Sequence, residues 1–362
     1  MDRRSFLKTT GLAAAATAAG SATSAAAPDP QLAAPAVHAG VRELRLSMAW
    51  PDSVAGLADN AYRLAARIEE ATGRRFRVHI EAERDGAAAA FAASDADLYH
   101  AVEHDNAAHD PAFSYFAGLP FSSGLAPADL ENWLTIGGGQ ELWDELAADL
   151  GYKPLLAGHI GRAPRLWSNR PLNSLGEFEG LRVATMGPEA EVMRALGAVP
   201  VSISAREIGA ALRRGDLDAA EFGGALQAMA AGVAPAARLA YEVDASGAGT
   251  AVTLGVSRRL WDSLTPSDQT VFAACASEAY RLAIAESDTH EHIILKALCD
   301  LHGVTAAPIA AEVSAALPPI TEAVVAMLAA SSPRAQRINA SYMAFRRATG
   351  GARPATAQAP IA

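Results

Sequence analysis

The sequence predicts an α/β protein built as two lobes. Three observations carry that expectation: a β-α-β pattern between residues 44 and 80, a second series of alternating strands and helices from about Trp167, and a chain of 362 residues, long enough for two ordinary domains. Repetition of the unit implies mainly parallel sheets with helices on their faces, because parallel neighbours need a crossover connection.

In chain order, Leu44, Leu46 and Met48 alternate with polar residues as a strand does. The stretch from Val54 to Thr72 carries Leu57, Ala61, Leu64 and Ile68 at helical spacing until Gly73 stops it, and Phe76, Val78 and Ile80 form the next strand. In the second series Leu181 to Ala184 reads as a short strand and Pro188 to Leu196 as a helix closed by Gly197. Val199 to Ile203 is extended again. Ser204 with Glu207 predicts a capping box for a helix ending at Gly215, and Asp218 to Phe222 returns to a strand. Thr250 to Ser257 is a strand, and Thr265-Pro266-Ser267-Asp268 opens a long alanine-rich helix with a threonine cap and proline in its first turn. The expected lobes are residues 40–163 and 164–250. Residues 251–349 supply a return strand, the long helix and C-terminal helices packing on both lobes, and residues 350–362 form a disordered tail without periodicity.

Composition excludes several classes. The chain is 51% hydrophobic and 19% charged, which rules out a disordered protein, and 40 acidic against 30 basic residues give a net charge of -10. A phosphate-backbone binder needs a positive field, so no nucleic-acid partner is expected. Cys275 and Cys299 are the only cysteines, too few for a disulfide scaffold or a thiolate zinc module. They lie 24 residues apart on the predicted long helix, about 36 Å at its usual rise, too far to bridge. Residues 1–39 read as a twin-arginine signal peptide and linker, with Arg3-Arg4 ahead of a short apolar run, Gly11 to Ala19, and cleavage near Ala27 or Ala36. The expected location is the periplasm.

The usual anchors of catalysis are missing. There is no G-x-x-x-x-G-K-S/T loop, no G-x-G-x-x-G between a strand and a helix, and no G-x-S-x-G elbow. Gly137-Gly138-Gly139 reads as flexible backbone entering a helix, with an anion-binding nest as the alternative. His100 and His104, spaced i, i+4 with Glu103 and His109 nearby, would put two imidazoles on one helix face for a metal. His290 and His292 beside Glu291 make a poorer cluster, since i, i+2 positions point apart. Solvated polar faces are the other reading of both clusters. Arg182 stands mid-strand between apolar neighbours, where its fork of donors would either grip an acidic ligand between the lobes or close a structural salt bridge.

The stretches Asp110-Pro111-Ala112-Phe113 and Leu119-Pro120-Phe121, the glycines at 137 to 139, Trp167 to Arg170, Leu175 to Val183, and Leu212 to Gly215 with Leu217 to Glu221 carry a family resemblance. From about Arg42 to Thr349 the chain resembles the solute-binding proteins of the tripartite ATP-independent periplasmic (TRAP) transporters, the DctP family. It is most similar to the branch that binds 2-oxo acids and other monocarboxylates. The resemblance implies a two-lobed periplasmic binding protein, type II-like, with an interlobe ligand cleft and a long connecting helix. It also implies a non-enzymatic role, the capture of a small organic acid for delivery to TRAP membrane permease subunits.

By that resemblance Arg182 would make the carboxylate salt bridge, so Arg182→Ala should weaken binding. Glu221 would help hold a bridging cation if one is retained, Phe222 stands where the branch has tryptophan, and Trp50 and Met186 would line the pocket. No cofactor is expected. Ala163 replaces an amide cation ligand between Arg162 and Arg165, either of which would supply the missing charge if it pointed inward. His104-Asp105-Asn106 replaces a tyrosine-rich wall, and the long C-terminal pairing helix of the branch is absent, which favours a monomer. A receptor without a permease, for sensing or scavenging, is the nearest alternative. A metal-dependent enzyme on His100 and His104 is the more distant one.

Overall fold

The computed structural model describes residues 40–82, 96–161, 165–243 and 248–350. The leader with its export signal, Arg162 and Ala163, and all of the tail but Gly350 lie outside the described residues.

Two sheets form the frame. The first has the order β2-β1-β3-β10-β4, made of β1 (Arg42–Met48), β2 (Phe76–Glu81), β3 (Leu98–Ala101), β4 (Tyr152–His159) and β10 (Ala251–Ser257). The second has the order β11-β9-β5-β8-β6-β7, made of β5 (Arg165–Ser168), β6 (Arg182–Ala184), β7 (Val199–Val201), β8 (Ala219–Glu221), β9 (Leu239–Glu242) and β11 (Thr305–Pro308). β1 lies parallel to β2 and β3, and β6 parallel to β7 and β8. The expectation of mainly parallel sheets holds, with one reversed strand in each. β10 runs antiparallel to β3 and β4, and β5 antiparallel to β8 and β9. These are the strands on which the chain enters the second sheet and returns to the first, and each enters its sheet against the direction of the strands beside it.

The helix Leu57–Ala71 buries Leu57, Ala61, Leu64 and Ile68 against the first sheet, the face that the periodicity marks. It begins three residues later than Val54 because Gly56, with a φ of 84°, ends the preceding turn and donates its N–H to Asp59 Oδ2 at 2.9 Å. The helix Gly139–Ala148 is entered through Gly138, while Gly139 packs flat on Trp133. A Cβ there would lie 2.7 Å from the indole ring, so this glycine run serves close packing rather than an anion nest.

One helix of 37 residues, Pro266–His302, backs both sheets. Thr265 Oγ1 accepts the Asp268 N–H at 3.1 Å, as the cap predicts. Phe272, Cys275 and Ala276 fill the core of the first sheet, and Leu298 sits in a core of the second. Both cysteines are free on this helix. Among the described helices, Ala311–Ala330 alone is long and apolar enough to cross a membrane by length and composition. It packs Val313 and Leu317 into one core and Val325 and Leu328 into another, with Pro318 and Pro319 inside it.

Candidate functional site: a cavity at the strand ends

β1 and β3 of the first sheet and β6, β7 and β8 of the second direct their carboxyl ends at one cavity of about 550 Å³. Loops that follow parallel strands open at that end, which is why such crevices collect ligands. The first sheet contributes Trp50 after β1 and His104 and Asp105 after β3. The second contributes Thr185 and Met186 after β6, Ser202 after β7, and Glu221 and Phe222 from the end of β8.

Trp50 is 6% exposed and meets His100 edge-on at 5.3 Å between centroids, and its indole N–H has no hydrogen-bond partner. His104 donates Nε2–H to the Gly118 carbonyl at 3.3 Å. Its Nδ1 lies 4.0 Å from Glu189 Oε2 across the cavity. Burial pushes the His104 pKa down to about 4, so the ring is neutral at neutral pH. His104 also lies against Gly187, at the start of the helix Gly187–Ala195. A Cβ at Gly187 would come within 2.4 Å of Nδ1, and its φ of 62° is one that glycine tolerates best.

Carboxylates dominate the polar wall. Thr185 donates its hydroxyl to Glu221 Oε2 at 2.8 Å, and burial pushes Glu221 up to about 7. Burial raises Glu189 well above the usual carboxylate range, with repulsion from Glu221 adding to it, and burial carries Asp105 to about 6. Arg206 and Glu207 stand exposed at the mouth, on the first turn of the helix Ala205–Arg214. Ser204 Oγ bonds Glu207 Oε2 at 2.9 Å instead of capping a backbone N–H, so the predicted capping box does not close.

Several sequence expectations need correcting here. Arg182 does not line the cavity. It sits at the amino end of β6, and its Nε and Nη2 bind Asp218 Oδ2 and Oδ1 at 3.0 and 2.8 Å, while its backbone N–H also bonds Oδ2 at 2.9 Å. Its side chain is 44% exposed. The position of β6 that reaches the cavity is Ala184, two residues and roughly 7 Å further along the strand. Arg165 is buried away from the cavity and pairs with Glu291 of the long helix at 2.9 Å, so it supplies no charge to a ligand.

His100 and His104 do not share a helix face. His100 belongs to β3 and bonds Asn60 Oδ1 at 2.9 Å through Nε2, while His104 is on a single 3-10 turn, Glu103–Asn106. His290 Nδ1 donates to the Glu286 carbonyl at 2.8 Å. Among the described residues no three His, Cys, Asp or Glu side chains converge to hold a metal.

Trp50, His104, Met186, Glu221 and Phe222 are on the cavity wall, where the sequence reading expected ligand contacts. Thr185, Glu189 and Arg206 went unrecognised. The available signal was positional: in a strand-loop-helix unit the loop and the first helical turn face the crevice, and Thr185 and Glu189 occupy those places after β6.

The family model for bacterial extracellular solute-binding protein, family 7 (DctP), matches residues 62–331. A monocarboxylate 2-oxoacid-binding periplasmic protein of Nostoc sp. PCC 7120 is 28% identical over 286 residues, 77% of this chain and 76% of its own. A TRAP transporter solute-binding protein of Bordetella bronchiseptica RB50, with calcium and picolinate in its site, superposes with a TM-score of 0.80 at 22% identity, covering 86% of this chain and 93% of its own. A TRAP periplasmic solute-binding protein of Colwellia psychrerythraea with bound calcium and pyruvate gives a TM-score of 0.78 at 21% identity, covering 86% and 96%.

Proposed function

Because this chain belongs to the bacterial extracellular solute-binding proteins of family 7, the DctP family, we propose that its cavity captures a small organic acid in the periplasm for a TRAP-type membrane permease. The bound 2-oxo and aromatic acids of its relatives support that class of ligand. The role is that of a receptor rather than an enzyme, exported by the twin-arginine leader and acting as a monomer, with lobes over residues 40–163 and 164–250.

The observation that carries the reading is the buried N–H of Trp50, unpartnered on the cavity wall. A buried donor left unpaired costs about 1–3 kcal/mol, and a ligand carboxylate that accepts from it recovers that cost. A further donor stands at the mouth of the cavity, the guanidinium of Arg206 on the first turn of the helix Ala205–Arg214. A ligand that contacts walls from both sheets favours the state in which the walls are together, since only differential affinity shifts such an equilibrium.

The calcium of the two neighbouring structures has an incomplete counterpart. Glu221 faces the cavity, but no three acidic or imidazole donors converge with it among the described residues, and calcium asks for six to eight oxygens. The residues described do not form a cation cage by themselves.

Titration calorimetry with an acid selected from a thermal-shift panel tests the reading. Trp50→Phe keeps an aromatic ring and removes the donor, so affinity should fall by about 1–2 kcal/mol. Unchanged affinity would remove Trp50 from the site, and no stabilisation by any organic acid would sink the function.

A further inference from the structure

The cavity wall is acidic: among its described residues Asp105, Glu189, Glu207 and Glu221 face a single guanidinium, Arg206. That balance disfavours a ligand that is only an anion.

The inner wall is more specific. Glu189 Oε2 is buried without a hydrogen bond and lies 4.0 Å from His104 Nδ1. The Gly118 carbonyl can only accept, so His104 spends its proton on Nε2 and turns a lone pair toward Glu189. Burial and the neighbouring Glu221 favour a proton on Glu189, yet at 4.0 Å no hydrogen bond joins it to His104; an ammonium nitrogen about 2.9 Å from each would displace that proton to solvent and donate to both. Glu221, close enough to Glu189 to repel it, has its Oε2 bonded by the Thr185 hydroxyl and keeps acceptor capacity beyond that bond. On the same cavity the Trp50 N–H is the opposite case, a buried donor with no acceptor. A ligand with separate cationic and anionic ends meets both needs.

We propose that the captured acid is a zwitterion, an amino acid or a close analogue, whose ammonium group sits against Glu189 and Glu221 while its carboxylate takes the donors near Trp50. This rests on the reading of the chain as an acid receptor. An ammonium suits the site because it offers three N–H donors and one positive charge in the volume of a single atom. A guanidinium is planar and wider, and a 2-oxo or hydroxy acid brings no cation to Glu189 and Glu221, whose burial favours their protonated forms without one.

The test uses the full chain, refolded to strip any carried-over ligand, in the presence of a chelator. Calorimetry compares matched pairs that differ only at C2: pyruvate with alanine, 4-methyl-2-oxopentanoate with leucine, and phenylpyruvate with phenylalanine. In at least one pair the amino acid should bind at least about tenfold more tightly, and the preference should vanish in Glu189→Gln and in Glu221→Gln. The comparison within the wild-type protein stands even if a variant folds poorly. Tighter binding of the oxo acid in every pair, or acid binding that appears only when calcium replaces the chelator, overturns the inference and leaves acid capture intact. An amino-acid preference untouched by both glutamine variants overturns the assignment to these carboxylates. Binding of neither series overturns the acid-receptor reading together with the inference.

Discussion

Glu103 is wholly buried, and donors from four residues converge on its carboxylate: Asn106 Nδ2, the Tyr99 and Tyr152 hydroxyls and Trp143 Nε1, at 2.6 to 3.2 Å. Burial nevertheless prevails over those bonds and pushes its pKa up to about 7 from an ordinary 4.5. A carboxyl raised in this way holds more protons in the folded than in the unfolded chain between about pH 4.5 and 7, so its contribution to stability falls as pH rises through that window. Glu103→Gln does not titrate and offers one acceptor oxygen instead of two. Calorimetric melting should show the wild type exceeding the variant by most near pH 5 and by least near pH 8, where the charge must be carried. A gap that widens with pH would contradict this.

Residue identity was the least legible property at this scale. The sequence marks Arg182 as an unusual charge in a strand, and that is correct, but it cannot say which end of the strand opens on the cavity. A displacement of two residues along β6 converts a ligand-gripping guanidinium into one side of the Asp218 pair, because Arg182 stands at the amino end and Ala184 at the carboxyl end. Arg165 was obscured for a related reason. Its partner Glu291 is 126 positions away, on a helix whose path between the lobes no local pattern reveals. Arg165→Ala would leave Glu291 buried with a charge and no cation, at a cost of about 3–5 kcal/mol to stability, to be read by denaturant unfolding. A variant as stable as the wild type would refute that pairing.

At the scale of elements the sequence was more informative. Strand alternation, helical spacing and the caps at Thr265 and Gly215 fix where β1, β2, β10 and the helices around the cavity lie, usually within two or three residues. Propensity and local spacing act within one element, which is why they succeed here. They fail at His100 and His104, where a chain turn between β3 and a 3-10 turn breaks the helical spacing. The loop from β6 into the helix Gly187–Ala195 is the element on which the site most depends. Gly187→Ala places a methyl 2.4 Å from His104 Nδ1 at a φ of 62°, so the imidazole must move and the backbone is strained. Loss of about 1–3 kcal/mol and weaker ligand binding are expected, measured by thermal unfolding and calorimetry. An unchanged melting temperature would show that the ring does not press on this glycine.

For the whole molecule, composition and the repeated strand-helix pattern anticipated two α/β lobes and a long helix behind them, but not the mixed strand directions. Those follow from the chain entering the second sheet at β5 and returning to the first at β10, a long-range choice without a local signature. Walls drawn from both sheets meet at the cavity, so a bound acid should draw them together. Solution scattering should give a smaller radius of gyration with ligand than without, and superimposable curves would argue against closure.

The most direct test of the account titrates one and the same acid into the wild-type protein and into Arg182→Ala. Capture at the carboxyl ends of the strands predicts equal affinities, because that guanidinium serves Asp218 on the far side of β6. A severalfold or greater loss of affinity in the variant, with its fold intact, would return the carboxylate to Arg182 and contradict the site described here.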